Sequence, residues 1–433
     1  MNISNELQLP EFNIISKKEE SGFLHYNVEP ISNPLKCPHC NSSEIVKNGG
    51  IERFLRDMPL YGKPVAITIL SNRFKCKRCE QTFTASFDVA ADRSKITNRL
   101  KEDIKKRCLS GTISNLSAES GLSVATISRL IDEHIEEKES SWQYYTPEIL
   151  GLSTIMLGKK QRTLCVDIKR HGAIDILEKA DRNSIYDYLT SKLTPGNIEG
   201  IVIDFNNPHR DAAYKACPGV NLVIDKYYTF REISRATNQE LKRLNNGSLR
   251  WLILKNSANL SPSESDELKS GLLGSTHLND IYETKERLYN IYKYKTDVEA
   301  ERAFDLIVKT LPGDCKHFKE LVHKIDDFRV EVFSFFESPY SSSCIQNAAK
   351  AVISIEKQGT GYSFKNFRAR ILFGKDRKEA KVIIKKPVYV KNNHNSGTCF
   401  KMITGWENDV AHYVETERVL GNYVEIESLE DIF

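Results

Sequence analysis

The 433-residue chain has no apolar run of about 18 residues, so no membrane-spanning segment is expected and no membrane partner follows. Its first residues, "MNISNELQLPEF", hold no basic stretch followed by an apolar one, so no secretory signal is expected either. No internal repeat or low-complexity tract is present. A large charge excess is also missing: the formal net charge is +4, too small to mark a nucleic-acid binder. The distribution says more. Between Lys365 and Lys391 there are ten Lys or Arg against two acids, and between Glu407 and Asp431 eight acids against Arg418 alone. A basic strip followed by an acidic end points to a DNA-contacting surface and a solvated or autoinhibitory tail, set against two ordinary solvated faces.

What is present is a globular composition, 40% hydrophobic and 28% charged, in a chain long enough for two to four domains. Ten cysteines occur. Four lie in two Cys-x-x-Cys pairs, and Cys108, Cys165, Cys217, Cys315, Cys344 and Cys399 are scattered. That usage suits a reducing cytosol with one metal site better than a disulfide framework.

Residues 12–30 alternate apolar and polar around Glu-Ser-Gly, a hairpin pattern. Cys37, Cys40, Cys76 and Cys79 then form two Cys-x2-Cys knuckles separated by 35 residues. Each knuckle offers two thiolates from one tight turn, and four thiolates suit a tetrahedral Zn²⁺. The gap exceeds the usual ribbon spacing of about 15–20 residues, but "FLRDMPLYGKPVAITIL" within it is strand-like. His39, inside the first knuckle, reads as a surface residue.

In "GTISNLSAESGLSVATISRLIDEHI", 111–135, two helical stretches flank Gly121. Ser123 can N-cap the second. Val124, Ile127, Leu130 and Ile131 form its apolar face, leaving Ala125, Thr126, Ser128 and Arg129 outward. Small residues and one Arg suit a major groove, with Ser123, Thr126 and Arg129 as DNA-contacting candidates. The competing reading is a generic helical hairpin.

A polar break, "EKESSWQYYTPE", leads to strand candidates at 149–154, 162–167 and 172–178. "GIVID" and "NLVID" follow, each ending an apolar strand with an aspartate, Asp204 and Asp225, and each preceding a helix. Acids at neighbouring strand ends can hold Mg²⁺, a hard cation that takes oxygen ligands; capping the next helix is the simpler role. Residues 228–330 are mainly helical, "VEVFSFF" at 330–336 fits a strand or a buried helix segment, and 343–359 reads as a helix with a Gly stop. The expected fold class is multidomain α/β.

The segments "CPHCNSSEIVKNG", "FLRDMPLYGKPV", "RFKCKRCEQTFT", "VIDFNNPHRDAAYKACPGVNLVIDKYYTFREISRATNQELKR", "RWLILKNSANLSPSE" and "GYSFKNFRARIL", in this order and with the helix-turn-helix between them, resemble the ISL-three family of bacterial insertion-sequence transposases. The resemblance covers about residues 10–373. It implies a zinc ribbon and helix-turn-helix that bind double-stranded DNA at transposon ends. It also implies an RNase H-like mixed-sheet domain, interrupted by a helical insertion, whose Asp-Asp-Glu triad binds two Mg²⁺ ions. The domains expected are 1–92 (hairpin and ribbon), 93–140 (helix-turn-helix), 141–372 (RNase H-like, insertion about 228–330) and 373–433 (a small β-rich extension). A homo-oligomer associated with the nucleoid is expected.

Carried over position by position, the triad is incomplete. Ser153 stands where the resemblance implies the first Asp and Thr154 where it implies a Glu. Asp204 matches the second Asp. In "SCIQN", Cys344 stands for the last Glu and Asn347 for an Asn. Tyr228 replaces a histidine in the segment after Asp225. A serine carries no charge to offset Mg²⁺ dehydration and a thiol is too soft a ligand. The expectation is therefore a DNA-binding protein without phosphoryl transfer, acting by occupancy. The alternative is an active transposase with a displaced triad, using Asp167 for Ser153 or Glu337 for Cys344. A third is an RNA- or protein-binding scaffold.

Overall fold

The computed structural model describes residues 6–374 except 86, 92, 245–248 and 360–361, and beyond 374 only four strand segments, by their backbone. Contacts group Met1–Gln143 with Ser354–Asp376 in one compact unit, and Tyr144–Ile353 with Arg377–Phe433 in another. The sequence-based boundaries contain no such return of 354–376 to the N-terminal unit.

The first unit opens with β1 (Phe12–Glu20) and β2 (Phe23–Pro30), then β3 (Ile45–Leu60), β4 (Lys63–Cys76) and β5 (Thr82–Thr84). Two tight turns close the hairpins, Ser21-Gly22 with φ of 51° and 80° and Tyr61-Gly62 with φ of 52° and 73°. Positive φ at both turn positions matches the twist of the flanking strands, and Gly adopts it without steric cost. The sheet order is β1-β2-β4-β3, with β5 on β4. The long gap between the cysteine knuckles is thus the β3–β4 hairpin. Its inward residues Leu55, Val65, Ile67 and Ile69 join Phe12, Leu24, Tyr26 and Val28 in one core.

Three helices follow: α1 (Asn98–Arg107), α2 (Ile113–Ser120) and α3 (Val124–Ser141), with Thr97, Thr112 and Ser123 each accepting a first-turn amide as N-cap. Gly121 ends α2 at φ 67°, and a Cβ there would sit 2.3 Å from the Phe23 ring. Both the left-handed backbone and the close approach require glycine. Ile127, Leu130, Ile131 and Ile135 bury against Ile104 and Leu116. Two expectations are corrected. Helix α3 runs on to Ser141, into the stretch read as a polar break. Val124, assigned to the apolar face, is 55% exposed. It lies on the right angular stripe but in the first turn, where little covers it; periodicity gives the angle of a side chain, not its depth.

The second unit begins with β6 (Ile149–Leu157), β7 (Lys160–Asp167) and β8 (Gly172–Leu177), an antiparallel meander, then α4 (Arg182–Ser191), β9 (Gly200–Ile203), α5 (Asn207–Ala216), β10 (Asn221–Val223) and α6 (Lys226–Arg243). The sheet order is β10-β9-β6-β7-β8, with β9 parallel to both β6 and β10. The mixed sheet is the one expected. Six further helices follow in this unit's part of the chain: α7 (Arg250–Leu254), α8 (Pro262–Leu272), α9 (Thr276–Asn290), α10 (Asp297–Thr310), α11 (Lys316–Asp327) and α12 (Arg329–Phe333). The ambiguous 330–336 segment is helix α12 and a 3-10 turn, Ser334–Phe336, with Val332 and Phe333 buried. A short apolar run cannot distinguish strand from buried helix by period alone. Helix α13 (Ser343–Gln358) ends just before Gly359.

In the first unit, α14 (Phe364–Phe373) packs with α3. It carries the start of the basic strip, and each of its three charges has a partner within the protein. Lys365 meets Glu136 at 2.9 Å and Arg368 meets Glu139 at 2.7 Å. Arg370 is buried and donates to the carbonyls of Cys108, Leu109 and Gly111. Arg370 is thus a structural residue, while Lys365 and Arg368 form ion pairs at the surface. Beyond it, Ile383–Ile384 and Val388–Tyr389 each pair with Cys399–Gly405, which pairs with Tyr413–Arg418. The rest of the basic strip, the aromatic side chains there and the acidic side chains of 407–431 lie outside the described residues.

Candidate functional site

The two cysteine knuckles are built alike. Cys37 N–H donates to Ser42 O and Cys76 N–H to Gln81 O, and the residue after each second cysteine turns the chain at positive φ (Asn41 58°, Glu80 57°). The β3–β4 hairpin brings the knuckles together by pairing Ile45 with Cys76. All four Sγ atoms lie within 4.8 Å of one another, with Cys37–Cys79 and Cys40–Cys76 each at 3.6 Å. A tetrahedron with Zn–S bonds of about 2.3 Å has S···S edges of about 3.8 Å, so these four sulfurs converge at the scale a single Zn²⁺ requires. The amide of Cys79 leads the interactions that lower the Cys76 thiol. His39 is exposed and its ring contacts Phe83 at 6.5 Å.

On α3, Ser123 Oγ accepts the Thr126 amide at 3.2 Å and lies 2.9 Å from Thr126 Oγ1. The capping role read from sequence is seen directly. Val124, Ala125 and Arg129 are exposed, and Thr126 and Ser128 half-exposed. Arg129 reaches only a long ion pair, 3.9 Å, with Glu133. Further along, α3 turns acidic, with Asp132, Glu136, Glu137 and Glu139 exposed.

The third assembly lies at the carboxyl ends of β9 and β10. The β6–β9 register pairs Leu152 with Ile203, so its continuation sets Ser153 beside Asp204. Asp204 is only 4% exposed. Its Oδ2 accepts the Thr154 amide at 2.7 Å, and its Oδ1 lies 2.7 Å from Nδ1 of His209 on α5. The far nitrogen of that ring, Nε2, is 3.1 Å from Thr163 Oγ1 on β7, and Asn206 donates to Thr154 Oγ1 at 2.7 Å. Burial raises the Asp204 carboxyl, but the His209 charge and hydrogen bond, the Thr154 amide and Arg231 outweigh it, leaving the group below the usual carboxylate range. Tyr228 is buried nearby; desolvation, with Asp204 and Asp225 adding to it, pushes its phenol far up.

The other sequence candidates are placed around this network. Asp225 is buried and caps α6 by accepting the Tyr227 amide at 3.4 Å, while its second oxygen accepts the Ser342 amide just before α13. Cys344 is buried on α13; desolvation chiefly, and the charges of Asp167 and Asp225 further, raise its thiol to about 11. Asp167 is buried and accepts the Arg170 amide at 2.9 Å, and Glu337 is exposed. The sequence reading missed His209, Thr163 and Asn206. An Asp-x4-His spacing across a strand-to-helix turn was the available signal for His209; Thr163 needs the sheet pairing.

A four-thiolate ribbon, a helix-turn-helix and a mixed α/β sheet with a carboxylate following an interior strand define the class: a DNA transposase of the DDE kind. The chain belongs to the ISL3 family of these transposases. Residues 153–371 match that family's transposase domain, and residues 33–79 match the zinc-finger of transposases IS204, IS1001, IS1096 and IS1165. No curated protein matches the chain. It is a transposase-derived DNA-binding protein with structural Zn²⁺, and no helix among the described residues is long and apolar enough to cross a membrane.

Proposed function

We propose that this protein keeps the DNA grip of a transposase and has lost its phosphoryl-transfer chemistry, acting by occupancy as a regulator or as part of a larger complex in the bacterial cytoplasm. The occupied state of Asp204 carries the reading. A carboxylate offers about four acceptor positions. Two are taken by the Thr154 amide and the His209 ring, and burial closes off the rest. Mg²⁺ takes octahedral oxygen ligation and keeps several waters. A buried Asp204 with Ser153 and Cys344 at the companion positions does not fit that demand, so no catalytic step is assigned to the metal here. Binding as a homo-oligomer and residence on the nucleoid belong to the same proposal.

The test uses duplex DNA spanning the coding region and its flanks, with wild-type protein and a Ser153→Asp, Cys344→Glu double variant, in Mg²⁺ or Mn²⁺. Binding, nicking and strand joining are scored side by side. The expected result is binding without cutting by the wild type. Metal-dependent cutting by the wild type overturns the proposal. A second reading, an active enzyme with a displaced triad, draws on the joint influence of Asp167 and Asp225 on Cys344. It requires that Asp204→Ala abolish a cleavage activity the wild type possesses.

A further inference from the structure

The exposed face of α3 has a composition that sequence periodicity concealed. With Val124 outward rather than in the core, the part of α3 that can meet a base edge is Ser123 to Arg129. Acidic residues bound it from the C-terminal side: Asp132 is exposed, and Glu133 lies 3.9 Å from Arg129. Those charges oppose deeper entry of the helix between phosphate strands, so its first two turns are the reading surface. In a helix-turn-helix, the N-terminal residues of the second helix contact the base edges.

Within that surface, hydrogen-bonding capacity is small. The Ser123 hydroxyl is committed to the Thr126 amide and lies against the Thr126 hydroxyl. No Asn, Gln or Lys is present between 123 and 129, and Arg129 is the one long polar side chain. Besides the half-exposed Ser128 hydroxyl, the remaining outward groups are the Val124 isopropyl and Ala125 methyl, and Val124 is 55% exposed. In the major groove the only apolar group a base displays is the thymine 5-methyl.

We infer that Val124, with Ala125 beside it, is a specificity-determining contact that reads thymine methyl groups, while Arg129 supplies the guanine or phosphate contact next to them. This rests on the DNA-binding reading above and names the base chemistry that the helix selects. It assigns to Val124 a role in recognition that a core position could not have.

The experiment is a binding selection by the full-length, zinc-loaded protein from two random-sequence duplex pools. One is synthesised with thymine, the other with uracil, which pairs identically but lacks the 5-methyl. Wild type is expected to enrich a motif with fixed thymines from the first pool and to lose that preference in the second. On the selected site, replacing those thymines by uracil is expected to weaken binding about tenfold, the scale of one lost base contact. Val124→Ser, a change at an exposed position, is expected to bind thymine and uracil versions equally while keeping the wild-type dependence on salt. Identical wild-type motifs from both pools overturn the inference and leave the DNA-binding reading standing. A Val124→Ser protein that still distinguishes thymine from uracil also overturns it. Failure of wild type to enrich either pool overturns the DNA-binding reading, and this inference with it.

Discussion

The cysteine cluster and the carboxylate ending β9 are both places where the chain gathers atoms able to bind a metal, and they are organised in opposite senses. In the ribbon, four sulfurs from two knuckles converge within 4.8 Å, and the backbone around them donates its hydrogen bonds to keep the turns tight. At β9, the one carboxylate is directed at the protein itself, to the Thr154 amide and the His209 ring. The first arrangement leaves a common point for an ion. The second already holds two hydrogen-bond partners from the protein, the Thr154 amide and the His209 ring. A metal-binding residue type thus says little until one knows whether its lone pairs are free.

Breaking the ribbon should have the largest effect. Cys76→Ser removes one of four thiolates, and structural zinc contributes on the order of 10 kcal/mol to the folding of small zinc domains. Bound zinc measured by elemental analysis should fall from one per chain to near none, and DNA binding should be lost. Retained zinc stoichiometry would break the comparison at its stronger end.

Next is Asp204→Ala, which leaves the buried His209 ring facing a cavity and the Thr154 amide without an acceptor. Removing one partner of a buried pair costs about 3–5 kcal/mol, readable as a lower midpoint in urea unfolding. An increase in stability would instead mark Asp204 as a strained catalytic acid. The same group sets a pH dependence. Because folding lowers its pKa, ionised Asp204 favours the native state; that contribution is complete above the unfolded value of about 3.9 and drains away as pH falls through the lower folded value. Wild type should therefore lose more stability than Asp204→Asn on acidification through this window, measured by unfolding at stepped pH.

Gly121→Ala should cost about 1–3 kcal/mol, since the added Cβ meets the Phe23 ring in a left-handed backbone. Thermal unfolding and DNA affinity should fall together, because the turn orients α3. The smallest effect is expected for Arg129→Ala. If Arg129 meets phosphate, the slope of log affinity against log salt should shrink by about 0.9. An unchanged slope with altered base preference would place it on guanine instead.

The legible part of this protein was the part written in local chemistry. Cysteine spacing set the zinc ligands before any strand was placed, and the apolar strands ending in Asp204 and Asp225 announced the sheet. Local signals failed where depth or partnership decided the outcome. Val124 has the periodicity of a core residue but lies in a turn that packing does not cover. Lys365, Arg368 and Arg370 look like a nucleic-acid strip, yet two pair with Glu136 and Glu139 and the third binds three carbonyls. The excess of like charge along a segment does not reveal the acids that other elements bring to it.

The sequence by itself determined the zinc ligands and the two helices flanking Gly121, because residue identity and short-range spacing suffice for each. Only the tertiary structure decided that Asp204 turns inward. His209 lies five residues away, but Thr154 and Thr163 come from strands about 50 and 40 residues upstream. Their meeting is a property of strand pairing, and whether a buried carboxylate is free to bind or already satisfied is set by that long-range register.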